Sequence, residues 1–249
     1  MMLNEKLKSE IAKHAAAEVP RESCGFIVRH SDGLTYLPCP NVSQNPEETF
    51  EISSDDWLRA AETGVIEAVV HSHPNGEPYL SGADRQSQIA SGLPWVLYTG
   101  SEFKVFRCVP HVLGREFVYG EYDCAAAVRD TYMLGGLDLP DCERLGVEED
   151  AKTGALLAHC ERTGFIQVSD GLRVGDVLVT EHGGFPSHVS VYLGEEQILH
   201  HAVGQLSMRE FYGEQWRRHT HSVWRHTLWK PEMIQGLLND MESFGEYLW

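Results

Sequence analysis

Two histidines follow an apolar run in the first half of the chain, and a serine and an aspartate come soon after them. The apolar residues are 68–70, the histidines are His71 and His73, and the later pair is Ser81 and Asp84. Because alternate side chains of a strand point to the same face, we expect the two imidazoles to project together. Two imidazoles and one carboxylate make three metal ligands and leave a fourth position open, which is typical of a catalytic zinc site. The alternative is a strand end with two solvent-facing histidines and a serine that caps the next helix.

Composition predicts a folded protein without a membrane span. The chain has 249 residues, of which 42% are hydrophobic and 23% charged, so it can bury the core of one large domain or of two ordinary ones. It contains no apolar run of about 18 residues, the length that a spanning helix needs. Residues 1–20 have a helical pattern of mixed charge and lack the apolar core of a secretory signal, so we expect synthesis and folding in the cytosol.

Charge and cysteine spacing exclude several classes of protein. A net charge of −17 argues against a general binder of nucleic acid or of anionic membranes, which would present a basic face. The six cysteines are widely spaced and form no CxxC pair, which argues against a disulfide framework and against a cysteine zinc finger. We therefore expect most of them to be buried, with one candidate for a reactive thiol.

The pattern of the first half alternates short strands with helices. After the opening helix it predicts strands at 26–28 and 34–37, a short strand at 50–52, a helix that Ser53 caps, a strand at 68–71, a helix at 83–91 that Ser81 caps, and closing strands at 94–98 and 103–108. Such interleaving gives an α+β fold with α/β-like layers, in which helices flank a sheet.

The motif formed by His71, His73, Ser81 and Asp84 resembles the signature of the JAMM (Mov34/MPN/PAD-1, or JAB) metallopeptidases. That family also has a glutamate on an early strand, and Glu22 matches its place. The resemblance covers residues 1–109 and implies that His71, His73 and Asp84 hold Zn²⁺. It also implies that Glu22 acts as the general base and that Ser81 helps to stabilise the oxyanion. Considered without the motif, Glu22 would be an ordinary surface acid at the start of a strand.

A second candidate site begins after a short predicted linker at 110–113. Cys124 stands where a loop becomes a run of helix formers at 125–133. A helix N-terminus favours a thiolate, so Cys124 is a candidate nucleophile, although a buried packing cysteine is the ordinary alternative. The segments 187–193 and 197–201 predict a hairpin, which would bring His188 and His200 within hydrogen-bond reach. Paired strand histidines can also be purely structural.

The second set of residues resembles the NlpC/P60 cysteine peptidases over residues 114–229. The match implies a papain-like α+β domain that cuts peptide stems of peptidoglycan. Carried over by position, Cys124 is the nucleophile, His188 the base and His200 the third polar member. His201 would take that last role if the register slipped by one residue. Many members have an upstream tyrosine that assists the oxyanion, and here Phe117 holds its place.

The last segment, 230–249, has the pattern of an apolar helix. Its apolar stripe consists of Met233, Ile234, Leu237, Leu238, Met241 and Phe244. We expect the stripe to pack against the core of the second domain, and docking to a partner is the alternative.

A JAMM-like domain followed by an NlpC/P60-like domain resembles the K-type tail-tip assembly proteins of lambda-like bacteriophages. This resemblance implies a phage hydrolase with two peptidase sites, made in the host cytoplasm and carried at the virion tail tip. Its expected partners are other tail-tip proteins and a peptidoglycan substrate, with no nucleic acid. The rival hypothesis is a structural tail-assembly factor in which one or both sites are vestigial. The first domain alone also resembles deubiquitinase-like and sulfur-carrier-processing enzymes.

Overall fold

The computed structural model describes residues 3–144, 146 and 154–245. The chain forms two compact units that divide after Cys108. Both units combine sheets and helices, so the fold is α+β, as the sequence predicts. Within the described residues, no helix has both the length and the apolar character that crossing a bilayer would require.

The first unit is built on a five-stranded sheet. Its elements in chain order are α1 (Glu5–Glu18), β1 (Cys24–His30), β2 (Gly33–Cys39), α2 (Ser54–Thr63), β3 (Val65–Ser72), α3 (Gly82–Ser91), β4 (Trp95–Tyr98) and β5 (Phe103–Phe106). The strand order is β2-β1-β3-β4-β5, with β3 and β4 parallel and the other neighbours antiparallel. The central position of β3 buries the end of that strand, where the two histidines stand.

The apolar face of α1 covers one side of this sheet. Leu7 and Ile11 of the helix pack against Ile27, Val70 and Val96 of the strands. Because α1 takes up this face, alternate residues of β3 point to the opposite side, and His71 is one of them. The predicted caps of α2 and α3, Ser53 and Ser81, are confirmed.

The predicted strand at 50–52 is wrong. These residues belong to no strand. Glu51 makes one backbone bond, from the N–H of Val42 to its carbonyl, and the side chain of Asn41 takes the bond to its N–H that a neighbouring strand would otherwise make. Asn41 Nδ2 donates to the carbonyl of Thr49, and Asn41 Oδ1 accepts from the N–H of Glu51. The pattern of side chains in a segment cannot reveal that a side chain replaces a backbone partner, since this depends on a residue that lies outside the segment.

The second unit is built on a six-stranded antiparallel sheet. Its elements are α4 (Cys124–Leu134), α5 (Ala155–Arg162), β6 (Phe165–Val168), β7 (Val177–His182), β8 (Phe185–Gly194), β9 (Gln197–His200), β10 (Met208–Phe211), α6 (Glu214–His219), β11 (Thr220–His226) and α7 (Ile234–Phe244). The strand order is β10-β9-β8-β7-β11-β6. Val128 and Tyr132 of α4 pack against Val177, Val189 and Val191 of the sheet, so the core lies between α4 and this face.

The start of the second unit is held by its last helix. Asp240 of α7 is fully buried and accepts hydrogen bonds from His111 Nδ1 and from the N–H of Val112, both at 3.0 Å. Leu237 and Met241 of the same helix are fully buried as well. The residues predicted as a linker are therefore part of the packed unit. Of the apolar stripe, Leu237 and Met241 pack as core, whereas Met233, Ile234 and Leu238 are half-buried and Phe244 is 48% exposed. Residues 246–249 of the predicted terminal helix lie outside the described residues.

Candidate active sites

The first candidate site lies where β3 ends and α3 begins. The Nε2 atoms of His71 and His73 are 3.1 Å apart, and Asp84 Oδ2 lies 3.5 Å from the first and 3.3 Å from the second. All three residues are buried, and their ligand atoms lie within 4.8 Å of one another. Two basic nitrogens and one carboxylate that converge in this way are a suitable ligand set for a zinc ion.

Local structure fixes both His73 and Asp84. His73 Nδ1 donates to the carbonyl of Glu77 at 2.8 Å, so the proton is on Nδ1 and Nε2 has a free lone pair. The side chain of Ser81 caps α3, accepting from the N–H of Asp84 and donating to its Oδ2 at 2.8 Å. Because Asp84 is the third residue of α3, the capping box aims its carboxylate at the histidines. The donor set fits a cation.

Electrostatics around this site also fit a cation. Burial lowers the pKa of His71, which keeps that ring neutral. Burial alone would lower the pKa of His73 and raise that of Asp84. Contact with Asp84, and then the charge of Glu22, reverses the first effect and raises the pKa of His73. Contact with His71, and then with His73, reverses the second and holds the pKa of Asp84 well below its usual range.

Glu22 stands just before β1, with Oε1 3.8 Å from His73 Nε2. Its other oxygen, Oε2, is buried and makes no hydrogen bond with any described residue. Burial raises the pKa of Glu22 to about 8, so this carboxyl group can hold a proton near neutral pH. The five residues that the sequence singles out in this unit, Glu22, His71, His73, Ser81 and Asp84, are thus brought together.

The second candidate site is centred on Cys124, the first residue of α4. The preceding residue, Asp123, is the N-cap, and its carboxylate accepts from the N–H groups of Ala126 and Gly120, both at 2.9 Å. Arg144 donates to both carboxylate oxygens, from Nε at 2.9 Å and from Nη2 at 2.8 Å. Four hydrogen bonds therefore hold Asp123, the residue directly before the thiol-bearing Cys124, at the start of α4.

Cys124 and His188 line one cleft, together with Phe117, Asp123, Arg144 and His201. We call this space the Cys124 cleft. Burial raises the pKa of the Cys124 thiol to about 12, although the N–H of Val189 opposes this effect. Burial also lowers the pKa of His188 to about 3. Among the described residues no hydrogen bond joins the sulfur to His188, so the two groups are neutral neighbours in this state.

His200 lies beside His188, and their ring centroids are 5.5 Å apart. The hairpin pairs His200 with Ser190, which puts His200 on the same sheet face as His188. His201 follows the end of β9, and its ring packs against Phe117 with centroids 5.3 Å apart. The register thus brings His200 to His188, and His201 lies on the other side, in the Cys124 cleft.

Two residues at the second site escaped the sequence prediction. Arg144 holds Asp123, and Glu210 lies 2.9 Å from His200. No local spacing connects Arg144 with Cys124. Glu210 could have been found from the register of a second hairpin, in which β10 pairs with β9.

Comparison with known proteins identifies a domain family in each unit. Residues 4–109 match the family described as prokaryotic homologs of the JAB domain, and residues 114–225 match the NlpC/P60 family. Over 202 residues the chain is 43% identical to "Tail tip assembly protein K" of Escherichia phage lambda, covering 79% of this chain and 100% of that protein. Over 233 residues it is 30% identical to the protein of the same name of Escherichia phage N15, covering 90% and 96%. A "Desampylase" of Haloferax volcanii is 28% identical over 119 residues, which are 40% of this chain and 86% of that protein.

Proposed function

The chain belongs to the tail tip assembly protein K family, and we propose that it is a phage hydrolase with two peptidase sites. It carries a JAB-like domain followed by an NlpC/P60-like domain. In this proposal the first is a zinc-dependent (iso)peptidase and the second is a thiol peptidase. The thiol peptidase cuts stem peptides of peptidoglycan during infection of the host or maturation of the tail.

The observation that carries the first half of the proposal is the convergence of three ligand atoms within 4.8 Å. His71, His73 and Asp84 would hold the metal. A zinc ion, when bound, supplies Lewis acidity that polarises a carbonyl and acidifies water. Glu22 takes up and returns the proton. Ser81 keeps the Asp84 carboxylate in place through its hydroxyl, and it stabilises the oxyanion when that single O–H turns from Asp84 to the substrate.

Zinc content tests this site without a known substrate. We expect the purified full chain to hold about one zinc ion. His73→Ala should lose the metal, because it removes one of three ligands. His30→Ala is the matched control, since its ring contacts the Thr63 carbonyl and Thr35 instead of the site. Equal zinc in wild type and His73→Ala, or none in either, would exclude the proposed site.

The second half of the proposal rests on Cys124 at the start of α4 and on His188 in the same cleft. Cys124 is the nucleophile, His188 takes its proton, and His200 orients His188. The free N–H groups at the helix start favour negative charge on the sulfur. Proton transfer to His188 offsets the cost of a buried thiolate, because the product is an ion pair instead of a lone charge.

One observation favours the structural alternative at this second site. The raised pKa of Cys124 and the lowered pKa of His188 both favour the neutral pair, as in a packed and inactive core. Incubation of peptidoglycan with wild type, Cys124→Ala and Cys108→Ala distinguishes an active thiol peptidase site from an inactive structural one. Cys108 is the control because it lies in the first unit. The proposal requires that wild type and Cys108→Ala release stem peptides and that Cys124→Ala does not. Equal release from all three would exclude Cys124 as the nucleophile.

Localisation and partners follow from the same family. We propose that the chain is made in the host cytoplasm, joins other tail-tip proteins in the virion and reaches the host periplasm during infection. Co-sedimentation with tails purified from a lysate tests this assignment. Recovery of the chain as free protein only, with none of it in the tail fraction, would contradict this assignment.

A further inference from the structure

His200 has a carboxylate partner that the three-residue site does not require. Its Nε2 lies 2.9 Å from Glu210 Oε2. Glu210 pairs with Ile198, two residues before His200, so both side chains stand on one face of the hairpin. The His200 side chain is 2% exposed and that of Glu210 is 43% exposed, so the carboxylate reaches a buried ring from the rim of the unit.

The two histidines each keep one buried nitrogen without a hydrogen bond among the described residues. These atoms are Nε2 of His188 and Nδ1 of His200. The rings stand nearly perpendicular, at 83°, and Trp216 packs against both, with centroids 5.8 and 4.8 Å away. Trp216 packs against both rings at the edge of a cleft that His188, His200 and Glu210 also line. A hydrogen bond between the two nitrogens, which this conformation does not make, would satisfy both.

The contact with Glu210 determines which nitrogen of neutral His200 carries the proton. A carboxylate accepts hydrogen bonds and cannot donate, so the proton of neutral His200 lies on Nε2 and its Nδ1 has a lone pair. The hydroxyls of Thr180 and Ser190, which lie beside the two histidines in the sheet, can donate or accept and therefore select neither tautomer. Nδ1 of His200 can then accept a hydrogen bond from the Nε2–H of His188. This bond would keep the proton of neutral His188 on Nε2 and leave its Nδ1 unprotonated.

We propose that Glu210 is a positioning residue for the Cys124 site, which sets the tautomer of His200 and through it that of His188. The inference rests on the proposed thiol peptidase function. It adds a fourth member to Cys124, His188 and His200. The glutamate would keep the basic nitrogen of His188 free for the thiol proton.

Histidine tautomers can be measured directly by long-range ¹H–¹⁵N NMR on the ¹⁵N-labelled full chain at neutral pH. In wild type we expect both rings to be protonated on Nε2. Glu210→Gln preserves size, but its amide can donate as well as accept, so both rings should show mixed tautomers. Glu214→Gln is the matched control, because Glu214 pairs with Arg218 on the exposed surface. A merely structural pair would leave His188 unchanged in Glu210→Gln.

The rate at which iodoacetamide alkylates Cys124 measures the chemical consequence of a changed His188 tautomer. The rate in Glu210→Gln should fall in proportion to the molecules that lose the productive tautomer, which is about twofold when the two tautomers are equally populated. The upper bound is about 10⁴-fold, the loss in a serine hydrolase whose base has the wrong tautomer. The Glu214→Gln rate should equal that of wild type.

Failure of this inference and failure of the proposed function give different results. If wild-type His200 carries its proton on Nδ1, or if Glu210→Gln leaves the His188 spectrum and the alkylation rate unchanged, the role of Glu210 is overturned even where peptidoglycan is cut. If the tautomers and the alkylation rate follow Glu210 while peptidoglycan stays intact, Glu210 keeps its role and the proposed substrate is wrong.

Discussion

Replacing His188 should make the second unit less sensitive to acid. Burial first, and then the neighbouring histidines, lowers the pKa of His188 from 6.5 to about 3. The folded state thus holds this ring neutral, whereas the unfolded chain takes up a proton below pH 6.5. The contribution of the neutral His188 ring to the free energy of unfolding is full above pH 6.5 and is lost as the pH falls towards 3. Since pH 4 lies about 2.5 pH units below 6.5 and each unit is worth about 1.4 kcal/mol, the loss there is about 3 kcal/mol.

Urea unfolding at pH 7.5 and pH 4, followed by tryptophan fluorescence, measures this quantity. The drop in unfolding free energy between the two pH values should be about 3 kcal/mol smaller in His188→Gln than in wild type. Any constant cost of the substitution cancels in this comparison. The control is His221→Gln, which removes an exposed imidazole on β11 of the same unit and should retain the wild-type drop. If His188→Gln loses as much stability in acid as wild type does, the ring is not held neutral by burial and the reasoning fails.

Three substitutions test the packing that supports the sites, each by its effect on unfolding free energy. Gly236→Ala should destabilise by about 1–3 kcal/mol, because its Cβ would lie 1.9 Å from the carbonyl oxygen of Leu134; unchanged stability would mean that α7 does not pack there. Ser81→Ala should cost about 1 kcal/mol by removing the cap of α3, and a neutral result would refute the capping role. Asp240→Ala should cost about 2–4 kcal/mol, because it leaves His111 and a buried N–H without their acceptor; a loss under 1 kcal/mol would contradict this.

Sequence was most informative where chemistry and local structure share one segment. His71 lies on β3 and His73 directly after its end, and the capping box that starts α3 includes Asp84, so short spacing defines most of the first site. The same holds for Cys124, whose neighbour Asp123 caps α4. In each case one turn of backbone fixes the geometry, so a pattern of residue types is enough to predict it.

Sequence was less informative where the partner comes from a distant part of the chain. Arg144 reaches Asp123 across 21 residues and Arg225 reaches Asp176 across 49, and no periodicity connects either pair. The strand prediction at 50–52 failed for the same reason, since Asn41, which lies outside the segment, accepts the hydrogen bond of the Glu51 N–H. Charged and amide side chains satisfy whatever groups the tertiary fold brings to them, and local patterns do not encode that choice.

The bond between Val112 and Asp240 has a consequence for the order of events during synthesis. The two residues are 128 positions apart, so the amide of Val112 leaves the ribosome long before its acceptor exists. At about 5–20 residues per second the interval is roughly 6–26 s. The first unit has all its strands by then and can fold while translation continues. We therefore expect the Cys124 unit to complete its fold only once Asp240 has left the ribosome.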